Sequence, residues 1–227
     1  MSLILSIETA TQTCSVALHA GGQLVAVQSL YIANSHAESL LLTIDYLLSI
    51  TPYNKKELAA VAISSGPGSY TGLRIGATTA KGLCYTLNVP LVAVGTLEAM
   101  AHGMQLYNTP QALLCPMIDA RRMEVYCLLV DSQGKTLEVP HPQVVDESSF
   151  QTWLADYPIL FFGDGAAKCK PLLGEHPHAT FIEDIHPSAQ HIGALAYAKF
   201  QQYAFEDLAY FEPSYLKPFQ GKPSTAQ

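Results

Sequence analysis

Basic residues are scarce in this chain: 12 lysines and arginines stand against 19 aspartates and glutamates, a formal charge of −7. Phosphate backbones are gripped by clustered Lys and Arg, so a chain with few of them, spread along its length, is not expected to be the main surface holding a nucleic acid. Long apolar runs are missing too. No stretch approaches the roughly 20 residues needed to cross a bilayer, and Met1 to Ile7 put no basic segment ahead of their short apolar stretch. A cytoplasmic location without membrane contact is expected. The five cysteines (Cys14, Cys84, Cys115, Cys127 and Cys169) are odd in number, scattered and nowhere in a CxxC pair, so neither a disulfide framework nor a zinc ribbon is indicated and buried free thiols are expected. Two catalytic signatures are absent as well. No Gly-Lys-Ser/Thr closes the glycine-rich loop at 66–68, and Ser69 is not centred in GxSxG, so neither a phosphate-binding P-loop nor a hydrolase elbow is supported.

What the chain has is apolar content, 49% hydrophobic over 227 residues, enough for one large domain or two small lobes. LILSIE (3–8), CSVALH (14–19) and QLVAVQSL (23–30) read as a three-strand meander, with the Gly21-Gly22 turn between the last two. Residues 35–50 follow as a helix, with Ser35 and Glu38 in capping-box spacing and Pro52 beyond its end. Then come a buried strand (57–64), the loop SGPGSY, a helix over about 71–87 and a strand at 90–94. About 111 residues after the first meander the order returns, with strands at 113–119, 124–130 and 135–140, a helix at 146–157, a strand at 159–162 leading into a GDG turn, and a terminal helix at 187–203. Two βββαβα halves in tandem predict an α/β fold of the actin-like, ribonuclease-H-like kind, two lobes with mixed sheets. The expected division is 1–102, 103–219 and a disordered tail over 220–227.

The most specific stretch is VAISSGPGSYTGLRIGATTAKGL (61–83). Gly66, Pro67 and Gly68 demand a tight turn after a buried strand, and Ser69 or Thr71 can cap the helix that follows. Gly72, Gly76 and Ala80 recur at four-residue spacing on one helix face. A helical glycine costs about 1 kcal/mol relative to alanine, so this notch wants a packing reason, either the sheet of its own lobe or the backbone of another helix. The helix at 35–50 favours the second option. Ala37, Leu40, Leu41, Ile44, Leu47 and Leu48 make a wide apolar stripe, and Leu42, Tyr46 and Ile50 add apolar groups where a surface helix should be polar.

At ILSIETATQTCSVAL, SHAESLL, SSGPGSYTGLRIG, AKGL, VPLVAVGTLEAMA, IDARRMEVY, FFGDGA and PSYLKP, in that order and over nearly the whole chain, the sequence resembles the TsaB family, the YeaZ-type bacterial proteins related to the TsaD threonylcarbamoyltransferases. The resemblance implies an accessory, non-catalytic subunit. It would form a heterodimer with TsaD, a homodimer through the same first-lobe helices when TsaD is absent, and a platform recruiting the TsaE ATPase, for threonylcarbamoyladenosine modification of tRNAs reading codons that begin with adenine. The tRNA would be met only through the complex. The candidate partner interface comprises Ser35, His36, Leu40, Leu41, Ile44 and Leu48 of the first helix with Tyr70, Leu73, Arg74, Gly76, Ala77 and Ala80 of the second.

Catalytic relatives carry two histidines at i, i+4 after the strand equivalent to 90–94. Here those places are Thr96 and Met100, neither of which offers imidazole, and His102 stands alone. His176, His178, His186 and His191 lack ligand spacing and read as solvated loop and helix-start residues. No metal or cofactor is expected. Glu8 and Asp119 end the first strand of each half and, with Thr9 and Arg121, make a possible cleft for weak nucleotide binding, although the glycine hairpins that approach phosphates are replaced by Thr9-Ala10-Thr11 and Ala120-Arg121-Arg122. Asp119, Arg121 and Arg122 are expected to form an ion-pair network bordering that cleft. The alternative is a stand-alone actin-like metallopeptidase or ATP phosphotransferase.

Overall fold

The computed structural model describes residues 2–33, 35–105, 107–109 and 111–217; the tail expected at 220–227 lies outside them. The first half forms β1 (Leu3–Glu8), β2 (Cys14–Ala20), β3 (Gln23–Leu30), α1 (His36–Ser49), β4 (Leu58–Ser64), α2 (Tyr70–Leu87), β5 (Leu91–Val94) and α3 (Thr96–Gln105). The second forms β6 (Leu113–Asp119), β7 (Glu124–Val130), β8 (Thr136–Val144), α4 (Gln151–Leu154), β9 (Ile159–Phe162), α5 (Lys170–Leu173), β10 (Ala179–Ile182) and α6 (Ala189–Gln201).

Each half builds one five-stranded mixed sheet, in the orders β3-β2-β1-β4-β5 and β10-β9-β6-β7-β8. The meander strands pair antiparallel, whereas β4 and β5 join β1 in parallel and β9 and β10 join β6 in parallel. The strands β1 and β2 are buried at every residue, so both faces of the first sheet must be covered. On one face Leu3, Leu5, Ile7, Val16 and Leu18 meet Leu40, Ile44 and Leu47 of α1 and Ala77 and Ala80 of α2. On the other, Ile4, Ala60, Ala62, Val92 and Val94 meet Ile192 and Ala196 of α6.

The last helices of the two halves are exchanged. Helix α6 lies on the first sheet, while α3 lies on the second, with Leu97, Met100, Ala101 and Met104 against Leu114, Ile118, Leu128 and Phe162. The two helices also touch each other. The layers therefore run α1/α2, first sheet, α6 with α3, second sheet, α4/α5, the two-lobed actin-like α/β fold. The segments 1–102 and 103–219 each carry one sheet, but neither carries both of its helical covers.

Three local expectations change. The helix expected over 146–157 shrinks to Gln151–Leu154, because the Asp146 carboxylate accepts from the Ser148 amide at 2.9 Å and from the Ser148 and Ser149 hydroxyls at 2.7 and 3.1 Å, a turn that competes with helix, and Phe150 then takes φ 62°. Strand β8 runs on to Val144 through Pro140 and Pro142, which the edge of a sheet tolerates. The capping box at Ser35 is not formed. Its hydroxyl donates to the Ile32 carbonyl at 2.9 Å and caps nothing.

Candidate functional site

The glycines of 66–76 are spent on a close approach within the chain. Ser69 caps α2, its hydroxyl accepting from the Gly72 amide at 3.3 Å, and the Ser69 amide donates to the Ala10 carbonyl at 2.6 Å. The Thr9 hydroxyl donates to the Gly72 carbonyl at 2.8 Å. A Cβ added at Gly68 would collide with the Ala10 backbone, one at Gly72 with the Thr9 carbonyl, and one at Gly76 with the Thr9 hydroxyl and, at 2.9 Å, the Ile63 side chain. The turn after β1 thus fills the notch, and a partner helix has no room there.

Most residues of the expected interface face inward. His36, Leu40, Ile44, Leu48, Leu73, Gly76, Ala77 and Ala80 are buried in the chain's own first lobe. Ser35 and Tyr70 are half-buried, and Leu41 and Arg74 are exposed. Leu41, Leu42, Tyr46 and Ile50 are 55%, 70%, 54% and 57% exposed, an apolar outer side of α1 and its C-cap made of the surplus groups Leu42, Tyr46 and Ile50 together with Leu41, expected in the main stripe. On the adjoining α2, Gly82 is exposed and an added Cβ would meet nothing within 4 Å among the described residues. Sequence reasoning had overlooked this glycine for the 72, 76, 80 row, although it stands at i+4 from exposed Thr78.

Glu8 lies fully enclosed at the end of β1. One carboxylate oxygen accepts from the Ala10 amide at 2.6 Å and the Ser64 hydroxyl at 2.9 Å, and the other has no partner. Burial pushes its pKa up to about 7 against the opposing pull of those hydrogen bonds. Asp119 is exposed and pairs with Lys168, which also donates to the Glu124 carbonyl. The arginines expected beside Asp119 do not pair with it. The Arg121 backbone amide donates to its carboxylate at 2.8 Å, and Arg121 and Arg122 turn out to solvent at φ 67° and 50°.

At the place of the relatives' imidazole pair, Thr96 and Met100 are core residues. Met100 packs beneath Gly163 of the GDG turn, and an added Cβ there would stand 2.8 Å from its methyl. His191 is not solvated as expected. It and His102 are half-buried with ring centroids 6.5 Å apart, where α3 meets α6, and Gly103 makes room for the His191 ring. His178 bonds the Leu154 carbonyl at 2.7 Å, and the His186 ring lies tilted against Tyr31 with centroids 5.2 Å apart. Among the described residues no three His, Cys, Asp or Glu side chains converge as metal ligands. All five cysteines are free and buried, as read, with Cys84 and Cys169 pushed up to about 11 by desolvation. Among the described residues no helix is long and apolar enough to cross a membrane.

The comparisons agree with this architecture. The profile of the TsaD family, described as tRNA N6-adenosine threonylcarbamoyltransferase, matches residues 30–224. The tRNA threonylcarbamoyladenosine biosynthesis protein TsaB of Bacillus subtilis is 31% identical over 200 residues, 85% of this chain and 80% of that protein. The chain belongs to the TsaB family. The Escherichia coli TsaB is 38% identical over 123 residues, 54% of this chain and 52% of its own length. Among solved structures, YeaZ from Pseudomonas aeruginosa superposes with a TM-score of 0.78 at 27% identity, covering 95% of this chain and 100% of that one. An activator of 2-hydroxyisocaproyl-CoA dehydratase from Clostridium difficile shares the fold alone, with a TM-score of 0.52 at 9% identity, covering 90% and 98%. As a TsaB protein the chain carries a family name drawn from tRNA threonylcarbamoyladenosine biosynthesis.

Proposed function

We propose that this TsaB protein is a non-catalytic subunit of tRNA threonylcarbamoyladenosine synthesis that docks on TsaD through the outer side of α1 and α2 and helps to recruit the TsaE ATPase. The observation that carries the reading is the exposed apolar row Leu41, Leu42, Tyr46 and Ile50, beside a helix whose Gly82 has no steric need among the described residues. Covering one leucine side chain contributes about 2 kcal/mol, so such a row favours a protein partner over water. An unforced glycine lets a second helix backbone come close. The same surface serves the homodimer when TsaD is absent. The net charge of −7 supports leaving the tRNA to other subunits, within the cytoplasm.

An inert cleft is supported by the internal engagement of its carboxylates: Glu8 is enclosed against Ala10 and Ser64, and Asp119 is held by Lys168. The deciding experiment is tRNA modification with purified components. The chain is expected to be required only alongside TsaD and TsaE and to turn nothing over alone. Modification at full rate without it, or hydrolase or phosphotransfer activity of the single chain lost on Glu8→Ala or Asp119→Ala, would overturn the reading.

A further inference from the structure

We propose that residues 205–217, after α6, form a clamp that fixes the first turn of α2 and ties it to the second lobe, so that the outer helical face and the placement of the two sheets are set together. That this face receives a partner rests on the function proposed above. The clamp itself does not.

The segment is irregular, yet it is held along its length. The Glu206 amide donates to the Leu91 carbonyl at 2.9 Å, adding an antiparallel bridge to the edge of the first sheet. The Asp207 carboxylate accepts from the Ala209 and Tyr210 amides at 2.8 and 3.2 Å, which turns Phe211 inward to the core shared by α1 and α2. Lys81 of α2 donates to the carbonyls of Ala209 and Phe211 at 3.1 and 3.2 Å. Further on, the Ser214 amide donates to the Ser65 carbonyl at 2.7 Å, and the Ser214 carbonyl lies over Gly66, where an added Cβ would stand 2.8 Å away. The next residue, Tyr215, sets its ring 4.8 Å from that of Tyr70, the first residue of α2, and the Arg74 guanidinium lies 4.6 Å over the same Tyr70 ring.

Two residues on, the chain leaves the first lobe. Lys217 pairs with the Glu124 carboxylate of β7. The Glu124 carbonyl accepts from Lys168, which pairs with Asp119, so the ring contact at the start of α2 is followed, two residues on, by polar contacts that reach the end of β6. The ties fall on the edge of the first sheet, on the loop before α2, on α2 itself and on the other sheet. Detachment would free the Gly66–Tyr70 loop and the first turn of α2 together.

The test uses the isolated full-length chain and follows amide hydrogen exchange over 66–74. In Tyr215→Ala combined with Lys217→Met, exchange there is expected to rise at least fivefold, while 43–48 in the core of α1 is unchanged. Glu124→Gln, in the other lobe, is expected to act in the same direction more weakly, and Tyr215→Phe, which keeps the ring contact, to match wild type. Wild-type exchange in the double variant would overturn the clamp. So would a response to Tyr215→Ala with none to Glu124→Gln, which would leave only a local strap. If the double variant fails to fold, Glu124→Gln still decides. Because TsaD is absent from the assay, failure of docking and failure of the clamp are separate results.

Discussion

The Ser64 hydroxyl, at the end of β4, donates 2.9 Å across the sheet to the Glu8 carboxylate, at the end of β1, and leaves that carboxylate's second oxygen with no partner. An enclosed carboxylate with one idle oxygen is better suited to the protonated form, which is why its pKa rises to about 7. The unfolded chain releases this proton near 4.5 and the folded chain near 7, so stability is expected to fall as pH climbs through that window and to level off above it. The full span corresponds to about 3 kcal/mol. Urea denaturation of Glu8→Gln at pH 4.5, 6 and 8 should show a flatter profile, with the variant gaining on wild type toward pH 8. Parallel profiles would contradict the assignment.

Histidines give the opposite slope. Burial lowers the pKa of His19, which lies against Gly193 of α6, and of His191, which lies near His102. Both are expected neutral in the fold, so stability present above about pH 6.5 is lost as pH falls and the unfolded chain takes up protons. Thermal melts between pH 7.5 and 5 should show less acid destabilisation in His191→Gln than in wild type.

Two leucines one residue apart separate docking from folding. Leu40 is 1% exposed and Leu41 55%. Leu40→Ala is expected to lower stability by about 2–5 kcal/mol. Leu41→Asp should change it by about 0.5 kcal/mol or less while abolishing co-purification with TsaD. Retained co-purification in both Leu41→Asp and Leu42→Asp would move the interface elsewhere.

Two glycines of α2 make the same distinction. Gly76→Ala gains about 1 kcal/mol of helix propensity but drives a methyl into the Thr9 hydroxyl, so net destabilisation is expected, and Gly76→Leu should not fold well enough to report on binding. Gly82→Ala meets nothing and should stabilise the free chain by about 1 kcal/mol. Its association with TsaD, measured by titration calorimetry, should weaken. Unchanged affinity would mean the partner does not approach at that glycine.

Much of this architecture was legible in the residues. The repeated meander, the capped loop before α2 and the enclosed thiols follow from period, turn chemistry and composition. The notch of Gly72 and Gly76 was read correctly as a need for close approach and wrongly as a need for a partner, because the turn at Thr9–Ala10 that fills it is about 60 residues away in sequence. Sequence spacing says which side of a helix is bare and cannot say what lies against it. The surplus of Leu42, Tyr46 and Ile50 translated directly into exposure, since no arrangement of one stripe on one sheet could enclose them all. Strand β10 went unseen because its four residues, flanked by the His176-Pro177-His178 stretch, carry no alternation of buried and exposed positions. The Asp119 partner was missed for a simpler reason: Lys168 arrives from the turn after β9, whereas Arg121 and Arg122 were the near neighbours.

The exchange of α3 and α6 makes the two lobes inseparable. Residues 1–102, made alone, would leave Ile4, Ala60, Ala62 and Val92 facing water without Ile192 and Ala196, and the remainder would lose the side chains of Leu97 and Met100 from beneath Phe162. A polypeptide cut between β5 and β6 should therefore regain its shape only when both fragments meet in the same tube, each supplying the lid the other lacks.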